Sequence, residues 1–320
     1  MTRRPLLHAL SILVAVALTA LLAAGCGSDD DGGGGSASGD PIALLTTAAT
    51  KQIESADVQM RAAADIPGFP ILGDQLSVTA SGPIAMQKSG LPTLDWEVML
   101  RAGGQSFPAR FTAVDDRAFV DFQGLTYEAD EKLIGMLPLE HGGESKNGAM
   151  SLRSLGIDPS KWLKNAKVTD GDEIGGDSTR LVTGTVDEQA VLADVAKAAE
   201  SPDVQQQIEK TKGADALPKL SAENLDRVAE NVKNVRVEVN VDDAGYARRV
   251  FGTLEFTVPK GVKNAAFDHG EISFELVIEK IGAKVAVVPP ANPRPLSDLL
   301  DFAGLIFGVE KPSDLWTVPR

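Results

Sequence analysis

Two hydrophobic periods alternate along this chain. At residues 42–54 the apolar positions Ile42, Leu45, Ala49 and Ile53 share one side of a helix. The period then drops to two. Val58, Met60, Ala62 and Ala64 alternate with polar or small residues, as do Leu76, Val78 and Ala80. Leu94, Trp96, Val98 and Leu100 are set against Asp95, Glu97 and Arg101. The alternation is sharpest in Val235, Val237, Val239 and Val241, against Arg236, Glu238, Asn240 and Asp242. Ile272, Phe274, Leu276 and Ile278 repeat it against Ser273, Glu275 and Glu279. Strict alternation predicts strands with one dry and one wet face, as in antiparallel sheet.

Turn signals join these strands. Asp242-Asp243-Ala244-Gly245, Val114-Asp115-Asp116-Arg117 and Gly175-Gly176-Asp177 read as hairpin ends. Helical patterns fall at 129–136, 159–164, 188–200, 221–233 and 296–307, and 201–220 reads as a loop or a frayed helix. Strand and helix do not alternate regularly, which argues against a doubly wound parallel sheet. The pattern predicts an α+β domain: one extended antiparallel sheet whose dry face is covered by a few helices. No composition break divides the chain after residue 40, so one domain is expected.

The first 40 residues follow different rules. Arg3 and Arg4 precede an apolar run from Leu6 to Ala24, which ends in Leu22-Ala23-Ala24-Gly25-Cys26. The uninterrupted apolar core is about 15 residues, short of the roughly 20 that a membrane span needs. A charged start, an apolar middle and small residues at the cut site describe a signal peptide. The segment resembles the lipobox of bacterial lipoproteins. That resemblance implies cleavage between Gly25 and Cys26 and a lipid on the Cys26 thiol. It also implies an extracytoplasmic domain anchored to the cell membrane. Arg3-Arg4 looks a little like a twin-arginine export signal, and an ordinary basic start is the favoured reading. Residues 27–40, rich in Gly, Ser and Asp, cannot bury apolar surface. They are expected to form a flexible tether with a reach of about 20 Å.

Several stretches resemble the LppX/LprG-like lipoproteins of actinobacteria, which share a fold with the LolA and LolB lipoprotein carriers. Ala48 to Ala56 looks like that family's first helix running into a strand. Glu173 to Asp187 looks like its mid-chain hairpin, with Leu181 or Val182 where a tyrosine is usual. Val239 to Val250 looks like its late hairpin. Pro289-Pro290 with Asp298-Leu299-Leu300 looks like its ending. The resemblance covers most of residues 42–302 and leaves 303–320 as an extension. It implies a LolA-like half-barrel, a curved antiparallel sheet closed by helices, with an apolar cavity for acyl chains. It also implies binding, presentation or transfer of lipid or acylated envelope molecules, with a possible envelope transport partner. The candidate lining is Leu94, Trp96, Val98, Leu100, Val237, Val239, Ile272, Phe274 and Leu276. In the bland reading the same residues are plain core.

Composition narrows the chemistry. The net charge is −14, and residues 26–320 carry −16 once Arg3 and Arg4 leave with the signal. That balance argues against nucleic acid and against adsorption to anionic lipid through basic patches. Cys26 is the only cysteine, so no internal disulfide is possible. With two histidines after the signal, His141 and His269, and no cysteine pair, no zinc or copper site is expected. Asp170-Gly171-Asp172-Glu173 starts like a calcium loop, but Leu181 stands at the twelfth position, where an acid is required. A solvated hairpin end is expected there.

No nucleophile elbow or phosphate loop is present. The expectation is a non-enzymatic protein without cofactor. Its competitors are a structural or interaction subunit of an envelope complex and, less well suited to this strand pattern, the solute-binding lipoprotein of an importer.

Overall fold

The computed structural model describes residues 40–67, 75–130, 134, 149–153, 158–191, 231–257 and 268–299. Cys26 and its flanks, His141 and most of the helical patterns at 129–136, 188–200, 221–233 and 296–307 lie outside the described residues.

Helix α1 is Pro41–Thr50. Asp40 caps it, its carboxylate accepting from the Ile42 N–H at 3.0 Å, and Pro41 supplies a φ already suited to a first turn. The helix buries Leu44, Leu45, Ala48 and Ala49, while Ile42 is exposed. It ends four residues earlier than the apolar spacing predicts. Ile53 is buried all the same, in a two-way backbone bridge to Met150.

One twelve-stranded sheet follows. β1 (Ser55–Asp65) to β6 (Leu125–Glu128) form a meander through β2 (Gln75–Ala85), β3 (Thr93–Ala102), β4 (Gln105–Val114) and β5 (Arg117–Phe122). The short helix α2 (Pro159–Trp162) leads into β7 (Leu163–Asp170) at the opposite edge. The chain then returns through β8 (Thr179–Val186), β9 (Val232–Asp242), β10 (Ala247–Thr257) and β11 (His269–Glu279). The order is β12-β6-β5-β4-β3-β2-β1-β11-β10-β9-β8-β7, so two meanders meet where β1 pairs with β11. All pairs are antiparallel except the two-residue β12 (Arg294–Pro295) on β6. The sheet is open and curved, and the α+β architecture is the one the periodicity predicts.

Local chemistry fixes the tight corners. Asp115 and Asp116 (φ 53° and 57°), Gly103 and Gly104 (58° and 74°), and Gln123 and Gly124 (50° and 78°) each place two left-handed residues between strands. That is the backbone of a two-residue hairpin, whose twist matches that of the strands. The Asp242–Gly245 hairpin forms as expected, with the Asp242 carboxylate accepting from the Tyr246 N–H at 2.8 Å. Asp170 ends β7, and Gly171 to Glu173 lie in the connection to β8. No metal-ligand cluster occurs among the described residues.

Three expectations need correction. Helical pattern 159–164 stops at Trp162, because Leu163 and Lys164 pair with Val186 and Thr185 as strand. Val232 and Lys233, the end of the 221–233 pattern, start β9 and pair with Phe256 and Glu255. The wet side of β9 is not wet: Glu238, Asn240 and Asp242 are buried. Partners on the neighbouring strands hold them there. Asn240 Nδ2 donates to Thr179 Oγ1 at 2.9 Å. Arg248, the extra residue at a bulge in β10, meets Asp242 at 2.6 Å and Asp177 at 2.7 Å. Arg249 bonds Glu238 and Glu275.

Candidate functional site: the dry face of the sheet

The pairing register turns separate strand patterns into continuous rows. One row runs Leu125, Phe122, Ala109, Val98, Ala80, Met60, Leu276, Val250, Val239, Val182, Val168, an apolar side chain on each of eleven strands. The next row runs Phe107, Leu100, Val78, Ala62, Phe274, Gly252, Val237. On the other side of the first row, Trp96 pairs with Phe111, Phe111 with Val120 and Val120 with Tyr127. All nine residues expected to line a cavity therefore share one face. They do not form one cluster. Val98 and Val239 share a row but stand five strand spacings apart, roughly 24 Å along the sheet at about 4.8 Å per strand.

Burial divides that face. Near α1 it is closed: Ala56, Val58, Ile84, Leu94, Ala113, Ala118 and Ile278 are all buried. The cover includes α1 itself and the segment around Met150 and Leu152, which join the same core. Away from α1 the rows open. Met60, Ala62 and Ala64 of β1 are half-buried, as are Leu76 and Val78 of β2, Val98 and Leu100 of β3, and Ile272 and Phe274 of β11. Phe107 is 37% exposed. Of the nine candidates, Leu94, Val239 and Leu276 are thus core. Val98, Leu100, Ile272 and Phe274 belong to the half-buried section. Trp96 and Val237 stand at its border, 8% and 6% exposed.

Met60, Phe107, Ala109 and Phe111 complete the surface and were not among the expected lining residues. The β4 residues carried the signal, since Phe107, Ala109, Phe111 and Ala113 alternate with polar or turn-forming neighbours. Gly82 left no such signal. It lies between the Ile84–Leu94 and Ala80–Val98 pairs. A Cβ built there would collide with the Asp95 carbonyl and stand 3.0 Å from Trp96 Cδ1. The glycine is what lets the indole lie down on β2.

The opposite face is a charge surface. Arg110 grips Asp95 through both guanidinium arms, and this hydrogen bonding holds the Asp95 carboxyl below the usual carboxylate range. Arg117 does the same to Glu128. Lys280 pairs with Asp57 at 2.5 Å. These are structural pairs on a solvated surface, and no acid–base or nucleophilic constellation assembles among the described residues.

The class these observations define is an α+β half-barrel: one curved antiparallel sheet, apolar inside and charged outside, closed at one end by helix. Among solved structures the chain is similar to LprF from Mycobacterium bovis, at 14% identity and a TM-score of 0.41, covering 81% of this chain and 100% of that one. It is also similar to a DUF1329 family protein from Desulfovibrio piger, at 9% identity and a TM-score of 0.19, covering 76% and 92%. No protein-family model and no curated protein matches the chain. The fold assignment stands on the sheet's own order and register.

Proposed function

We propose that this chain is a membrane-anchored extracytoplasmic lipoprotein that binds, presents or helps transfer lipid or acylated envelope molecules. In this reading residues 1–25 are a signal peptide and Cys26 carries the lipid anchor. Residues 26–41 tether the domain 42–302, and 303–320 extend it. The domain is not an enzyme and needs no cofactor. The ligand's acyl chain lies over the half-buried section of the dry face. Each Å² of apolar surface so covered contributes about 25 cal/mol.

The observation that carries this is the step in burial along the rows. Leu94 is closed where Val98 and Leu100 are not, and Leu276 is closed where Phe274 and Ile272 are not. The half-buried section leaves a contiguous apolar surface for an acyl chain to cover. The membrane anchor rests on the order Arg3-Arg4, apolar run, Gly25-Cys26. A tether of about 20 Å would keep the domain beside one membrane, which suits receiving or presenting lipid there better than ferrying it across an envelope.

Native mass spectrometry with organic extraction tests the binding. Residues 26–320, expressed without the leader, should retain co-purified lipid at one per chain. Protein that carries none, and takes up none from added lipid, points instead to an interaction subunit with a filled core. Detergent phase partition tests the anchor: the wild-type protein enters the detergent phase and Cys26→Ser does not.

A further inference from the structure

A polar atom on an apolar face is informative because it lost water to get there. Trp96 is more than nine-tenths buried, and its Nε1 has no hydrogen-bond partner. Buried indole N–H groups normally find an acceptor. The side chains beside it in the sheet offer none: Phe111 is its pair on β4, Leu94 and Val98 flank it on β3, and Gly82 lies beneath it on β2. The ring atom over Gly82 is Cδ1, which is bonded to Nε1. The N–H edge of the indole therefore sits at the one position on that part of β2 without a side chain.

The location matters as much as the missing partner. On β3, Leu94 is fully buried and Val98 and Leu100 are half-buried, so Trp96 stands where the closed section gives way. On β1 the same step falls between Val58 and Met60. From Trp96 to Ala102 the face extends roughly 20 Å at about 3.4 Å per residue, a length on the scale of a long acyl chain.

We propose that Trp96 Nε1–H donates a hydrogen bond to the ester carbonyl oxygen of the bound lipid, making this an acyl-ester site rather than a general hydrocarbon groove. The proposal rests on the lipid-binding reading above. The carbonyl lies at the Trp96 row, and the acyl chain runs over Val98 and Leu100 toward Phe274 and Ile272. A neutral carbonyl suits the site better than a free carboxylate, because none of the named neighbours carries a positive charge. Trp96 is thus a specificity-determining residue: it adds one directional contact to an otherwise non-directional surface.

The test uses residues 26–320 and two probes of equal chain length, a diacylglycerol and the corresponding dialkyl ether, which lacks both carbonyls. Competition followed by native mass spectrometry should show the wild-type chain preferring the ester by about tenfold, the worth of one buried hydrogen bond. Trp96→Phe should lose the preference and bind ester and ether alike. In the unmodified protein, the indole Hε1 resonance of Trp96 should move downfield with the ester and not with the ether. Equal affinity for the two lipids in the wild type, or a preference that survives Trp96→Phe, overturns the proposal and leaves lipid binding intact. Failure of both lipids to bind overturns both.

Discussion

The Trp96 indole rests on Gly82, with Cδ1 3.0 Å from where a Cβ on that glycine would be. The same Cβ would strike the Asp95 carbonyl, and a backbone atom cannot swing aside as a side chain can. Gly82→Ala should therefore destabilise the domain by about 1–3 kcal/mol, the usual cost of overpacking. Urea denaturation measures this, and a native tryptophan emission shift should report the displaced ring.

The two carboxylates on Arg248 should not be equivalent. Arg248 and Asp242 are both buried, whereas the Asp177 side chain is 49% exposed. Asp242→Ala leaves a buried guanidinium short of its inner partner, and such breaks cost about 3–5 kcal/mol. Asp177→Ala removes an exposed partner and should cost about 1 kcal/mol or less. Comparing their urea midpoints checks the ranking, and equal losses would contradict it.

Acid should weaken the sheet in a defined window. Hydrogen bonding from Arg110 lowers the Asp95 carboxyl's pKa in the folded state, and Arg117 does so for Glu128. Depressed carboxylates contribute stability that is fully present above the unfolded value of about 4 and lost as pH falls through the lower folded value. Wild-type stability should thus hold from neutral pH to about 5 and fall below about 4. Asp95→Asn removes one of these contributions. Its urea midpoint should sit below wild type at neutral pH and converge with it in acid.

Core and candidate wall should separate by mutation. Leu276→Ala empties a fully buried site and should cost about 2–5 kcal/mol. Phe274→Ala, one step along the same face of β11, alters a half-buried side chain. It should cost less stability and more lipid affinity. Thermal melts paired with lipid titrations of both variants check this, and it fails if Leu276→Ala is the variant that loses more binding.

The faces of β1, β2, β3 and β11 were legible because each strand carries its own alternation, and α1 because its apolar spacing is local. The register was not. Nothing in Met60 says that it lies between Ala80 and Leu276, since those neighbours are set by two meanders meeting at β1 and β11. The wet side of β9 misled for a related reason. Glu238, Asn240 and Asp242 look solvated in a strand read alone, and are buried where Arg249, Thr179 and Arg248 each bond one of them. The candidate lining was legible as a face and not as a site. Periodicity cannot tell Leu94, sealed under the α1 end, from Leu100, which is half-buried.

Photolabelling tests the central claim most directly. Residues 26–320 are loaded with a fatty acyl probe bearing a diazirine on its chain, irradiated, and mapped by tandem mass spectrometry. Neighbouring residues on a strand point to opposite faces, so each strand carries its own control. Adducts are expected at Met60, Val98, Leu100, Ile272 and Phe274, and not at Met99, Glu97 or Glu275. Labelling that is absent, or that falls on the charged face as readily as on the dry one, would contradict a lipid site on this sheet.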